Sequence, residues 1–233
     1  SDLKVRGGWG KLGNQQLGTD NRKSIEFYPY QSVLSQKNYA FGGKVNSGVA
    51  PVDGANSDLK WETSQTTNIG LDMGFLENMF TLTVDAYWKK TYDILMKLPV
   101  STLYGLEAPY QNAGEVTNKG VEMQLGYKLA AKDFTFNATA NIAYNKNEVT
   151  NLHNDGAKIW DGYKFKQEGR PINSFGGYEV LGIFTDPTDL ANSAVINREQ
   201  AGLGDLKYKD QNNDGKIDGE DRVYLGSWDP SWT

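Results

Sequence analysis

Alternation of apolar and polar residues with a period of two constrains this chain more than any other feature, because it returns in five separate runs. In FTLTVDAYW, Phe80, Leu82, Val84, Ala86 and Trp88 fall on one side and Thr81, Thr83, Asp85 and Tyr87 on the other. Successive side chains of an extended chain point to opposite faces, so this run is a strand with one oily and one wet face. VEMQLGYKL sets Val121, Met123, Leu125, Tyr127 and Leu129 against Glu122, Gln124, Gly126 and Lys128. FTFNATANIAYN does the same with Phe134, Phe136, Ala138, Ala140, Ile142 and Tyr144. TSQTTNIGLDMGF carries Ile69, Leu71, Met73 and Phe75, and LKVRGGW offers Leu3, Val5 and Trp9. Such runs exceed the ~5–6 residues usual for strands of soluble domains.

The connections fall into two classes. LENM (76–79) and AAKD (130–133) are tight reversals, whereas 11–59, 89–116 and 148 onwards are long excursions rich in Gly, Asn, Tyr and Pro. Short and long alternate, which puts every short turn at one end of a sheet and every long loop at the other. That asymmetry predicts an all-β fold, an antiparallel transmembrane β-barrel with long extracellular loops. Trp9, Trp61, Trp88 and Tyr127 suit the aromatic girdles of such a barrel. A soluble β-sandwich also alternates, but its strands are shorter and its loops are not sorted by length. Five long strands are fewer than the eight of the smallest outer-membrane barrels, and an open sheet in lipid would leave an edge of unsatisfied backbone groups. The chain is therefore expected to be one arc of a larger barrel. Its start inside an alternating run and its end at SWDPSWT, where a strand begins, agree with that.

Composition narrows the function classes. The apolar share is 38 %, below the ~45–50 % usual for soluble globular chains, so one generous dry core is not expected. The net charge of −5 comes from interspersed acidic and basic residues; with no basic stripe, nucleic acid is not an expected partner. The absence of cysteine excludes disulfides, thiolate zinc sites and cysteine nucleophiles. No run approaches the ~18 apolar residues of a membrane-spanning helix, and SDLKVRGGWG is not patterned as a signal peptide.

Several blocks, in order along the chain, closely resemble the C-terminal barrel portion of the SusC/RagA family of TonB-dependent outer-membrane transporters from Bacteroidota. They are LKVRGGWGKLGNQQLG (3–18), LKWETSQTTNIGLDMGF (59–75), FTLTVDAYWKKTYDILMKLPV (80–100), NAGEVTNKGVEMQLGYK (112–128), EGRPINSFGGYEVLGIF (168–184) and GDLKYKDQNNDGKIDGEDRVYLGSWDPSWT (204–233). NAGEVTNKGVE and the acidic loop leading into DRVYLG are the most specific. The resemblance implies that residues 1–233 form part of a barrel of about 22 strands, whose width requires a plug. It also implies a location in the bacterial outer membrane, in contact with its lipid. The implied function is import of oligosaccharides or peptides, driven through TonB, under a SusD-type lipoprotein lid. The alternative is a carbohydrate-binding or adhesion β-protein that does not transport.

DQNNDGKIDGED (210–221) reads as a twelve-residue calcium loop. Asp210, Asn212 and Asp214 hold places 1, 3 and 5, Gly215 the sharp-turn place 6, and Lys216 would offer its carbonyl at place 7. Asp218 at place 9 and Asp221 at place 12 complete the set, with Ile217 as apolar anchor. A hard divalent cation takes six to eight oxygens and offsets the repulsion among carboxylates. Asp221 stands where glutamate is usual, a shorter arm that weakens the site. The flanks LKYKD and RVYLG read as extended chain, not as the helices of an EF-hand. The expectation is a structural Ca²⁺ staple within an extracellular loop, against the plainer reading of a solvated Asn/Asp/Gly turn.

Other motifs carry less. GWGKLG (8–13) matches the dinucleotide-binding glycine pattern, but no βαβ unit surrounds it. His153 is the only histidine, so triads and histidine zinc sites lack their parts. Glu220 and Asp221 have no apolar pocket to separate their pKa values. No catalytic residue is assigned, and an enzyme is not expected.

Overall fold

All five alternating runs become strands of one antiparallel sheet in the computed structural model, which describes residues 2–14, 30–32, 34–52, 54–98, 100–101, 103, 105–152 and 158–233. His153 lies outside the described residues. The chain forms two units, Ser1–Ile159 with Gln167–Arg170 and Pro230–Thr233, and Trp160–Lys166 with Pro171–Asp229. Strands of the first unit are β1 (Asp2–Asn14), β2 (Leu34–Phe41), β3 (Lys44–Pro51), β4 (Glu62–Phe75), β5 (Phe80–Lys97), β6 (Tyr110–Ala130) and β7 (Thr135–Asn151). Its main sheet has the order β1-β4-β5-β6-β7.

Register converts the alternation of single strands into rows that cross the sheet. Val5, Leu71, Val84, Met123 and Ile142 are successive partners across all five strands, as are Leu3, Met73, Leu82, Leu125 and Ala140. The rows between them, on the opposite face, are Lys4, Asp72, Thr83, Gln124 and Asn141, then Arg6, Gly70, Asp85, Glu122 and Ala143. A slip of one residue in any strand would move its apolar set to the wet face, so the pattern itself fixes the register.

The apolar face is not covered. Leu3 is 70 % exposed and Leu125 47 %, whereas a sandwich buries that face against a second sheet about 10 Å away. At the short-turn end the face closes with aromatics, Phe80 against Tyr127 at 4.8 Å and Tyr127 against Phe136 at 6.3 Å between ring centroids. At the other end it closes with Trp9 and Trp88, both in the row that contains Lys119. Along β6, Leu129 and Lys119 bound this band; at ~3.3 Å per residue and a tilt of about 40° its height is ~25 Å, the thickness of the apolar belt of a membrane barrel. Buried apolar side chains of this unit, Leu98, Ala113, Val116, Val149 and Leu152, sit beyond the band on the long-loop side.

The reversal after β4 places Leu76, Glu77 and Asn78 in left-handed backbone, with φ of 51°, 56° and 65°. The second reversal, 131–134, is closed by Ala131 N–H donating to the Phe134 carbonyl. Both lie at one end of the sheet, as the sequence predicts.

The expected excursions are corrected in two respects. Residues 89–97 and 110–116 extend β5 and β6, and β7 runs on to Asn151. The strands outrun the apolar band, and beyond it the apolar residues stop alternating, Ile94, Leu95 and Met96 following one another on β5, so the period-2 signal fades although backbone pairing continues. A register shift between Thr91 and Ile94, with Asp93 at φ 56°, also breaks the alternation there. Within 11–59, residues 34–51 form a β2–β3 hairpin turned by Gly42 and Gly43, both at positive φ.

The second unit has two small sheets. Strands β8 (Ile159–Asp161, from Trp160 on in this unit), β9 (Lys164–Lys166), β10 (Ser174–Tyr178), β11 (Val180–Ile183), β12 (Leu206–Tyr208) and β13 (Arg222–Ser227) follow in sequence. They pair in the orders β13-β10-β9-β8 and β11-β12. A short helix, α1 (Pro187–Asn192), follows β11; Asp186 caps it by accepting from Thr188 N–H at 3.0 Å, with Pro187 in the first turn. Phe165, Phe184 and Ile217 are the buried apolar side chains of this unit.

Candidate functional site

The wet face of the five-stranded sheet gathers the polar side chains of the first unit. The Arg6 guanidinium donates to Asp72 from Nε at 2.7 Å and to Asp85 from Nη2 at 2.9 Å, tying β1 to β4 and β5. Arg6, Gly70 and Asp85 are successive partners, and a Cβ on Gly70 would occupy the space between guanidinium and carboxylate. The bridge to the second strand over is thus possible because the strand between lacks a side chain.

The same device recurs one row on. The Tyr87 hydroxyl donates to Asn145 Oδ1 at 3.2 Å, crossing from β5 to β7 above Gly120, where a Cβ would sit 2.5 Å from the phenol oxygen. Beside these lies a concavity of about 520 Å³ whose lining includes the polar Thr83, Asp85, Glu122, Gln124, Asn141 and Thr233 beside Met123, Ile142 and Ala143. Its polar groups are hydroxyls, carboxamides and carboxylates that exchange hydrogen bonds with water or a polar solute at small net cost.

Asn112 governs the loop end. Its side chain accepts from Lys60 N–H at 2.8 Å, donates to the Lys60 carbonyl at 2.7 Å and donates to the Asp93 carbonyl at 2.8 Å. It stands in for a missing strand neighbour at the bulge of β5. Asn112 opens the NAGEVTNKG block, yet its role cannot be read without the Asp93 bulge. Arg6, Gly70 and Gly120 also escape a reading by single strands, because their roles exist only across a register.

The loop 210–221 belongs to the second unit, and its flanks are extended, β12 before it and β13 after a short 3₁₀ turn (Gly219–Asp221). Asn213 at φ 60° and Gly215 at φ 84° supply the two left-handed residues of the sharp turn. Asp210 Oδ1 accepts from Asn213 N–H at 2.6 Å and Oδ2 from Gly215 N–H at 2.8 Å. Asn212 Oδ1 accepts from Asp214 N–H at 3.1 Å, and Asp214 Oδ1 from Lys216 N–H at 2.9 Å. Asp218 Oδ1 accepts from Glu220 N–H at 2.9 Å. Asp221 is fully buried and accepts at both oxygens, from Gln211 N–H and Asp218 N–H, each at 2.8 Å. The backbone donor at Asp218, with those at Gln211 and Asn212, holds the Asp221 carboxyl below the usual carboxylate range against the opposing effect of burial. Ile217 is buried as the apolar anchor. Among the described residues no three acidic or histidine side chains converge as a metal ion would hold them; Asp210, Asp214, Asp218 and Asp221 accept from backbone N–H groups.

Comparison with known proteins follows this geometry. TonB-dependent receptor P3 of Formosa agariphila is 30 % identical over 227 residues, which is 93 % of this chain and 22 % of that protein. TonB-dependent receptor SusC of Bacteroides thetaiotaomicron is 39 % identical over 155 residues, 65 % of this chain and 15 % of that protein. Among solved structures, the RagAB peptide transporter superposes with a TM-score of 0.73 at 24 % identity, covering 100 % of this chain and 24 % of that one. The RagAB peptide importer in its open-open state gives 0.72 at 26 % identity over the same shares. The chain thus spans about a quarter or less of the length of the relatives it matches. The profile of the TonB-dependent receptor-like β-barrel matches residues 1–233 throughout, and with its antiparallel sheet, long loops and two-faced strands the chain belongs to that family.

Proposed function

We propose that this chain is part of the barrel wall of an outer-membrane transporter of the SusC/RagA kind, which imports oligosaccharides or peptides with energy supplied through TonB and with a SusD-type surface lipoprotein as partner. The observation that carries the reading is the pair of opposed faces on β1, β4, β5, β6 and β7. One face is a continuous, exposed apolar band of membrane height; the other is lined by Arg6, Asp72, Asp85, Glu122, Gln124 and Asn141. The first suits lipid, the second a watered passage. The description of the similar RagAB as a peptide importer supports the peptide class and the name of SusC as a TonB-dependent receptor supports the energy source; oligosaccharides and the lipoprotein partner rest on the family resemblance.

The test is uptake by cells with and without the gene for the intact polypeptide that contains these strands. Fluorescent oligosaccharides and oligopeptides should enter in a manner that collapses with the proton-motive force, and affinity purification should bring a lipoprotein with the protein. Recovery in the soluble fraction, or uptake unaffected by deletion, would overturn the reading.

The loop 210–221 is proposed to hold a structural Ca²⁺. Its donors are all oxygen, which suits that ion, and its left-handed residues stand at the places a calcium loop requires. Asp210, Asn212, Asp214, Asp218 and Asp221 would offer side-chain oxygens and Lys216 its carbonyl.

A further inference from the structure

Among the outward strand positions of the five-stranded sheet, lysines stand at one end only; at the other, Lys132 lies in the reversal between β6 and β7. Trp9 and Trp88 share their outward row with Lys119 and Lys146, and the next outward row holds Lys11 and Lys90. At the short-turn end the outward positions are Leu3, Phe75, Phe80, Tyr127, Leu129 and Phe136, while Lys4 and Lys128 fall on the wet face. All these residues belong to the first unit.

Lys119 and Lys146 are direct register partners on β6 and β7. Like charges directly opposite one another destabilise a strand pair, so the arrangement calls for an anion. Part of it is present: Glu148 lies 2.7 Å from Lys146 and Glu115 2.9 Å from Lys90. Lys11 rests over the Tyr92 ring at 5.4 Å. No carboxylate of the described residues lies within ion-pair distance of Lys119, which is exposed. The strip therefore carries four cations against two carboxylates, and Lys119 is an exposed lysine without a direct ion pair among the described residues, reached by Glu148 only at longer range.

Its height selects the occupant. Lysine stems lie along apolar surface while the ammonium reaches into the polar layer, and a strip that shares the row of a tryptophan girdle or stands two residues, ~7 Å, beyond it sits at the level of lipid headgroups. We propose that Lys119 and Lys146, with Lys90 beside them, bind the phosphate of a lipid headgroup in the leaflet on the long-loop side, and that Lys11 contacts the same phosphate layer at β1. This rests on the barrel reading above.

The experiment uses the intact native polypeptide, extracted from membranes, delipidated and returned to nanodiscs containing either phosphorylated lipid A or its dephosphorylated form. Lipid retained per polypeptide after washing is counted by mass spectrometry. The wild type should retain the phosphorylated form preferentially. K119Q/K146Q should lower that retention on the order of tenfold at low salt, and K119R/K146R should restore it. Millimolar inorganic phosphate should not displace the lipid. Equal retention of the two lipids by the wild type overturns the proposal and needs no variant to fold. Undiminished retention by K119Q/K146Q, or displacement by free phosphate, overturns it as well. A polypeptide absent from the membrane fraction overturns the barrel reading itself, and the lipid site with it.

Discussion

Two glycines on the wet face do what no side chain could do in their place. Gly70 and Gly120 each lie under a polar side chain that reaches past the neighbouring strand to the next, Arg6 to Asp85 and Tyr87 to Asn145. In a strand interior Gly→Ala ordinarily gains ~0.5–1 kcal/mol, because alanine has less backbone freedom to lose. At Gly120 the new methyl would meet the Tyr87 ring, and the displaced phenol would lose its bond to Asn145. Gly120→Ala should therefore destabilise by about 1–2 kcal/mol in denaturant unfolding of the membrane-extracted protein. In a Tyr87→Ala background the same change should turn neutral or stabilising, since the obstacle is gone. Gly10, whose added Cβ meets nothing within 4 Å, is the control: Gly10→Ala should not destabilise. Equal losses at both glycines would mean that the Tyr87–Asn145 bridge does not set the cost.

Among the elements, the loop 210–221 shows a fold held from within. The carboxylates of Asp210, Asp214, Asp218 and Asp221 accept from backbone N–H groups, and Asp221 is buried with both oxygens so engaged. An ion would compete with internal bonds, from the weak Asn212 Nδ2 to Asp214 Oδ2 contact at 3.3 Å to those accepted by Asp210 at 2.6 and 2.8 Å, and would have to draw together carboxylates that do not converge without it. With a dissociation constant of 10⁻⁴–10⁻³ M, as in extracellular calcium modules, 1 mM Ca²⁺ would stabilise the loop by about 0.4–1.4 kcal/mol. Trypsin cleavage after Lys216 should then slow in calcium relative to chelator, and Asp210→Asn, nearly isosteric, should abolish the difference. Identical cleavage with and without calcium in the wild type would reduce the loop to a self-capped turn. Its extended flanks were legible in LKYKD and RVYLG, because neither carries helical spacing. So were the five long strands and both tight turns, since the apolar band imposes strict alternation within it. The upper halves of β5 and β6 were not, because outside the band the apolar residues no longer alternate: Ile94, Leu95 and Met96 are consecutive, and Ala113 and Val116 are buried among polar neighbours. Helix α1 is a single turn or so, set by Asp186 and Pro187, too short to leave a period. The sites on the wet face were legible as residue types but not as partners, because Arg6 with Asp85 and Tyr87 with Asn145 depend on inter-strand register.

For the molecule as a whole, the decisive physical question is what solvent the apolar face meets, and adjacent residues of one strand can answer it. Leu125 and Gln124 are neighbours on β6 and point to opposite faces, Leu125 in the row with Met73 and Leu82, Gln124 beside Thr83 and Asn141. If the apolar face meets lipid, Leu125→Arg forces a guanidinium towards the middle of the band and should cost ~2–4 kcal/mol in a bilayer, less nearer the interfaces. Gln124→Arg places the same charge in water close to Asp85 and Glu122, where surface changes usually stay within about 0.5 kcal/mol. A soluble sheet would order the two differently: with Leu125 already 47 % exposed to water, its arginine could reach solvent and the two variants should be similar in cost. Folding the intact polypeptide into phospholipid vesicles and comparing denaturant midpoints of the two variants separates the cases. A large penalty confined to Leu125→Arg, growing with its depth in the bilayer, follows only when lipid is the solvent of that face. The same measurement places the rows relative to the bilayer midplane, and so fixes how far above it Trp9, Trp88 and the lysine strip stand.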